Sequence, residues 1–161
     1  MKTLIVYSSQ TGNTEKLAER VYETLAGEKE IFLVNDAPSP EGYDLVAVGF
    51  WLQAGKPDPK ASEYIQRING KQPLFLFATH GAKSESDHAK NAMAHAVSLA
   101  PGADIVGTFS CQGAVNPKVL DKISARPEPP VWLADAPEAE GHPDENDLTT
   151  LVEVINRLKI S

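Results

Sequence analysis

Cysteine is almost missing from this chain: Cys111 is the single thiol among 161 residues. One thiol rules out an internal disulfide and points to a reducing compartment, so the expected location is the cytoplasm. No Cys/His cluster has the spacing of a zinc or iron–sulfur site. Long apolar runs are missing too, and with them any bilayer-spanning segment; no basic-then-apolar leader opens the sequence, and no membrane role is expected. Positive charge is scarce, with 15 Lys and Arg against 22 Asp and Glu and a net charge of −7. That balance cannot neutralise a nucleic-acid backbone, which excludes nucleic acid as a partner. It suits solubility and steering toward basic protein partners.

What is present is ordinary for a globular protein: 42% hydrophobic and 23% charged residues, in a length that buries one core. The chain reads as one domain over 1–161, with no internal repeat and no linker long enough to divide it. Lys2 to Tyr7 is short, apolar and β-branched, the mark of a strand covered on both faces. A helix over Glu15 to Ala26 follows, with Leu17, Ala18, Val21, Tyr22 and Leu25 on one face and Gly27 beyond it. Ile31 to Val34 reads as an edge strand and Leu45 to Phe50 as a central one. Asp58-Pro59 has the form of an N-cap and first helical residue. Leu74 to Ala78, a helix from about Ser86 to Leu99, and a strand over Ile105 to Ser110 complete the alternation. Strands alternating with helices imply a doubly wound α/β fold: a five-stranded parallel sheet with helices on both faces and right-handed crossovers. Beyond it come a short helix from Asn116-Pro117, a Pro-rich insertion over 126–143 that reads as ordered, and a last helix from near Asp144.

The chain is organised around Tyr7-Ser8-Ser9-Gln10-Thr11-Gly12-Asn13-Thr14, between the first strand and the first helix. Free N–H groups of a helix's first turn point at such a loop, and the helix dipole favours an anion there. Gly12 permits the turn, and Ser9, Thr11 and Thr14 carry hydroxyl donors. The loop has no Lys or Arg, and neither G-x-x-x-x-G-K-S/T nor G-x-G-x-x-G occurs. Neutral donors alone suit a phosphate monoester that is held rather than cleaved; the alternative is an ordinary Asn/Thr-rich turn and N-cap.

Ser9-Gln10-Thr11-Gly12-Asn13-Thr14 at the end of a first strand resembles the phosphate loop of flavodoxins, Thr/Ser-x-Thr-Gly-x-Thr. The resemblance implies strand order 2-1-3-4-5, FMN as cofactor and electron transfer as function. It also implies a site built from three loops: Ser9, Gln10, Thr11, Gly12, Asn13 and Thr14 on the phosphate; Trp51, Leu52, Gln53, Ala54 and Gly55 on one face of the ring; Thr79, His80, Gly81 and Ala82 on its other side. Trp51 stands where the family often has a stacking aromatic, though a core position under the neighbouring helix is the alternative. Gly55 has the freedom for the backbone flip some flavodoxins make, but Leu52, not Gly or Asn, follows Trp51. The Tyr that many flavodoxins place in the third loop is absent. His80 is read either as lying by the ring or as a solvated loop histidine; Trp132 or His142 of the insertion are other covers, with core packing the favoured reading for Trp132. Cys111 reads as a small buried residue, and His88 and His95 as surface histidines sharing a helix face.

The leading expectation is an electron carrier between redox partner proteins, a reductase and an acceptor, as a monomer or weak dimer. The alternative is an FMN-dependent oxidoreductase acting with NAD(P)H on a quinone or other small organic substrate. A response-regulator-like module is set aside, because Tyr7-Ser8 and Phe50-Trp51 stand where that chemistry needs acidic residues.

Overall fold

The computed structural model describes residues 1–160. Strands and helices alternate from the start: β1 (Lys2–Tyr7), α1 (Asn13–Thr24), β2 (Glu28–Leu33), β3 (Leu45–Gln53), β4 (Lys56–Pro57), α2 (Pro59–Gln66), β5 (Pro73–His80), α3 (Asp87–Ser98) and β6 (Asp104–Gln112). The chain continues through α4 (Pro117–Ser124), a 3-10 turn (Val131–Asp135), α5 (Ala136–Ala139) and α6 (Glu145–Asn156). The five long strands lie in the order β2-β1-β3-β5-β6, every adjacent pair parallel. This is the flavodoxin-like order expected from the sequence, with a sixth, two-residue strand off the main path.

Alternation along the strands divides the core into two layers. Leu4, Val6, Val46, Val48 and Leu76 pack with Ala61, Tyr64 and Ile65 of α2 and Ala96 of α3. Ile5, Ala47, Phe75 and Phe77 face Leu17 and Val21 of α1 and Leu151 and Ile155 of α6. Strands buried on both faces read as continuous apolar runs, and the central ones do. Gly49 has a steric purpose: a Cβ there would run into the Phe77 ring on the adjacent strand. Truncating Phe77 itself would cost about 3–5 kcal/mol on ordinary core energetics.

Caps begin four of the helices where the sequence marks them, Asn116 accepting from the Lys118 N–H at the start of α4. Asp58 accepts from the Ala61 N–H at the start of α2, and Ser86 accepts from the Ala89 N–H at the start of α3. Asp144 and Asp147 form a reciprocal capping box on α6.

The structure differs from the sequence reading at the second loop. Trp51, Leu52 and Gln53 are not loop residues; they extend β3 beyond Phe50. The chain then turns back through Ala54 and Gly55, with φ of 52° and 75°, and β4 pairs antiparallel with the extension. Positive φ at both central residues is the type I′ hairpin turn, whose twist matches its flanking strands. Ala54 is costly there, which is why the turn is hard to foresee. Thr79 and His80 likewise close β5 instead of opening the third loop.

Candidate functional site

The first loop ends at Gly12, which is the N-cap of α1 with φ of 90°. A Cβ on Gly12 would meet no protein atom, so its need is the left-handed backbone rather than space. No side chain caps α1, leaving its first-turn N–H groups directed at the loop. Ser9 Oγ accepts from the Gly12 N–H at 3.1 Å, so its own hydrogen is free to donate elsewhere. Thr11 is exposed. Thr14 is different. Its hydroxyl is buried, 2.9 Å from Thr79 Oγ1 and 3.4 Å from the Phe50 carbonyl, and it stitches α1, β3 and β5 together.

Asp58 joins the first two loops. Ser8 donates its hydroxyl to Asp58 Oδ2 at 2.7 Å, and the Trp51 N–H donates to Oδ1 at 3.3 Å. The Asp58 N–H returns a bond to the Trp51 carbonyl at 2.9 Å. Burial pushes the Asp58 carboxyl above the usual carboxylate range, while the bonds from Ser8, Ala61 and Trp51 pull it back. Sequence reasoning found Asp58 as a cap; its part in the site shows only in three dimensions.

His80 is buried at the end of β5, not a solvated loop residue. Burial lowers its pKa to about 4, so the ring is neutral. Nδ1 lies 2.7 Å from the Ala82 carbonyl, which can only accept, so Nδ1 carries the proton and Nε2 is an acceptor. Nε2 has no partner among the described residues, an orphaned polar atom in the site's wall.

The insertion supplies the remaining wall. The Asn13 side chain donates to the Ala114 carbonyl at 2.9 Å, and the Lys83 N–H donates to Asp135 at 3.1 Å. Trp132 packs so closely on Gly81 that a Cβ there would come within 2.8 Å of the indole. The His88 ring lies 6.3 Å from the same indole, tilted by 37°.

These elements enclose a cavity of about 1060 Å³ at the C-terminal edge of the sheet. Every residue assigned from sequence to the three loops lines it except Gly12, which holds the loop's shape from behind. Sequence reasoning missed the wall formed by Gly113 to Asn116, α4 and Asp135; the α4 face was legible only as a 3.6-residue repeat mixing cations with aliphatics. Trp132 lines the cavity rather than the core. His142 does not; it bonds Asp147 across 2.6 Å at the start of α6. Cys111 is buried, and burial pushes its thiol well above the ordinary range, unsuited to nucleophilic chemistry.

The donor set fits a phosphate monoester: hydroxyls, an uncapped helix N-terminus, and no carboxylate within Ser9–Thr14. Trp51 of the hairpin and the third loop line the same cavity, and the indole offers a flat aromatic group a stacking partner.

The family model described as "Flavodoxin domain" matches residues 4–156. The flavodoxin-like domain-containing protein BilS of Clostridioides difficile (strain CD3) is 31% identical over 160 residues, 92% of this chain and 90% of that protein. A flavodoxin of Streptococcus pneumonia TIGR4 superposes with TM-score 0.66 at 15% identity, covering 98% of this chain and 97% of the other. A flavoprotein of Lactobacillus acidophilus NCFM, solved in complex with FMN, superposes with TM-score 0.56 at 19% identity over 76% of this chain and 98% of its own. At such identities the superpositions show a shared fold, while the family match covers nearly all of the sequence. This chain belongs to the flavodoxin domain family.

Proposed function

We propose that this protein binds FMN and carries electrons between two protein partners, a reductase and an acceptor. The observation that carries the reading is the uncapped N-terminus of α1 behind a hydroxyl-rich, cation-free loop, at the sheet position where β1 and β3 diverge to opposite sides. When bound, FMN supplies one- and two-electron chemistry that no side chain here can perform.

The chain's own residues bind, orient and shield. Ser9, Thr11 and the first-turn N–H groups of α1 hold the phosphate without drawing it toward a cation. Trp51, on a hairpin whose backbone is pinned to Asp58, covers one ring face. His80, neutral and buried beneath the third loop, keeps positive charge away from the ring's far side. Asn13, clamped to Ala114, closes the side of the site next to the insertion.

The test begins with cofactor titration. FMN should bind stoichiometrically and riboflavin far more weakly; equal affinity would remove the phosphate argument. Trp51→Ala should weaken FMN binding roughly tenfold and shift the reduction potential. Stopped-flow reduction by a flavodoxin reductase across a salt series then tests the carrier role, with a rate that falls as the Debye length shrinks from about 10 Å at 0.1 M to about 3 Å at 1 M. Fast turnover of NAD(P)H with a quinone, without electron exchange with any protein, would favour a small-molecule oxidoreductase. The observation favouring that second reading is that the cavity continues past the three cofactor loops onto the insertion.

A further inference from the structure

The cofactor loops form only part of the cavity wall. Val119, Lys122 and Ile123 of α4, and Arg126 just beyond it, also line the cavity. The spacing of Val119, Lys122 and Ile123 places them on one face of α4, and Arg126 adds a second cation to the same cavity wall just past the helix end. Val131 and Trp132 of the 3-10 turn continue this wall. Val131 is 95% exposed, an aliphatic side chain left in water at the cavity's rim. A volume of about 1060 Å³ lies above the roughly 300–1,000 Å³ common for a pocket holding one small ligand.

The charge on this wall opposes the sign of the whole molecule. Among the described residues the ion pairs fall on Lys2, Arg20, Lys83, Lys90 and His142, and neither Lys122 nor Arg126 takes part. Two carboxylates also line the cavity, one of them, Asp135, on the same 3-10 turn as Trp132. Asp135 accepts from the Lys83 N–H of the third loop, and Asp87 sits in the first turn of α3. With the Asp135 carboxylate engaged by the third loop, the lining residues of α4 and Arg126 are cationic and aliphatic, with no carboxylate among them.

We propose that α4 and the Val131–Trp132 turn form a second compartment that binds an organic anion, a carboxylate or sulfonate on a flat apolar body, beside the cofactor. The inference rests on the FMN reading for the occupant of the three loops. Arg126 offers a planar fork matched to a carboxylate, and Lys122, in the last turn of α4, adds a second charge. Val119, Ile123 and the Trp132 edge remove the ligand's apolar body from water. The phosphate loop needs neither cation, since its own donors complete an anion site.

The experiment uses 2-naphthoate and its neutral isostere 2-naphthamide as probes, titrated calorimetrically into FMN-loaded protein. Naphthoate should bind about tenfold more tightly than the amide. The double variant Lys122→Gln/Arg126→Gln should abolish that preference while FMN affinity stays unchanged. Lys71→Gln, an exposed cation ahead of β5, should leave both as they were. Equal binding of the two probes, a preference that survives the double variant, or displacement of FMN by naphthoate would each overturn the proposal. So would a loss of FMN affinity in the double variant with naphthoate binding unmoved, which would assign the cations to the cofactor phosphate. Visible flavin absorbance is measured first. A protein that takes up no FMN defeats the flavin reading, and naphthoate titration of the apoprotein then decides the second compartment alone.

Discussion

Ser8 and Asp58 meet across 2.7 Å in the core of the site, tying the end of β1 to the N-cap of α2. Asp58 also receives the Trp51 N–H, so one buried carboxylate fixes both the start of the phosphate loop and the base of the hairpin.

Asp58→Ala would leave the Ser8 hydroxyl and the Ala61 and Trp51 N–H groups without an acceptor. The expected cost is roughly 2–4 kcal/mol in urea unfolding, with weaker FMN binding. Asp58→Asn keeps an acceptor oxygen and should cost only about 1 kcal/mol. The parent and the Asn variant also differ in pH response. Burial raises the native Asp58 pKa, so the native state holds this proton more tightly than the unfolded chain does. Its contribution is therefore complete below the unfolded value of about 3.9 and is lost as pH rises through the native one. Asn cannot titrate, so the stability gap between Asn and parent should move in favour of Asn as pH rises through this window. Urea midpoints at several pH values check it, and movement the other way would defeat the assignment.

Thr14 and Thr11 separate framework from ligand. Thr14→Ala leaves the buried Thr79 hydroxyl without its partner and should cost roughly 1–2 kcal/mol, with the preference for FMN over riboflavin intact. Thr11→Ala should leave stability alone and narrow that preference. Paired unfolding and flavin titrations distinguish the two; the reverse pattern would make Thr14 the phosphate donor.

Gly81→Ala forces a Cβ to within 2.8 Å of both Trp132 and Val115. Overpacking of this kind costs roughly 1–3 kcal/mol. The insertion should lift away from the third loop, seen as a red shift of Trp132 emission in a Trp51→Phe background. Unchanged emission and stability would mean that the two segments are not in contact.

His142 anchors the insertion to α6. Its hydrogen bond to Asp147 raises the imidazole pKa above the usual 6.5, against a smaller opposing effect of burial. A raised histidine pKa contributes stability fully below the unfolded value, and that contribution is lost as pH rises through the native one. Because the pair is partly solvent-facing, the effect should be a few tenths of a kcal/mol, roughly, to about 1 kcal/mol. The melting-temperature difference between parent and His142→Ala should shrink as pH rises above the unfolded value of about 6.5 and through the raised native one. A difference that grows would reverse the assignment.

Much of this architecture was readable from the chain because it rests on local chemistry. Apolar β-branched runs and the Asp58-Pro59 and Asn116-Pro117 signals put β1, β3, α2 and α4 within a few residues of their places. The Ser9–Thr14 loop was readable as a strand-to-helix turn for the same reason: its residues act within one turn of each other. The Ala54-Gly55 hairpin was not, since nothing in Ala54 signals a φ of 52°. Nor was the burial of His80, which depends on its becoming the end of a strand. The α4 wall was hidden because its cavity face exists only once the Asn13–Ala114 bond brings the insertion over the site.

That bond has company, and together the anchors make the insertion a reporter. Asn13–Ala114, Gly81–Trp132 and Lys83–Asp135 fasten the segment after β6 to the loops that would touch a ligand, and Ala114–His142 passes the connection on to α6. Hydrogen exchange at the amides of 113–142 should therefore slow when the site fills, although the ligand touches few of them. A fluorophore placed on the exposed Val131 would turn the same coupling into an optical sensor of occupancy.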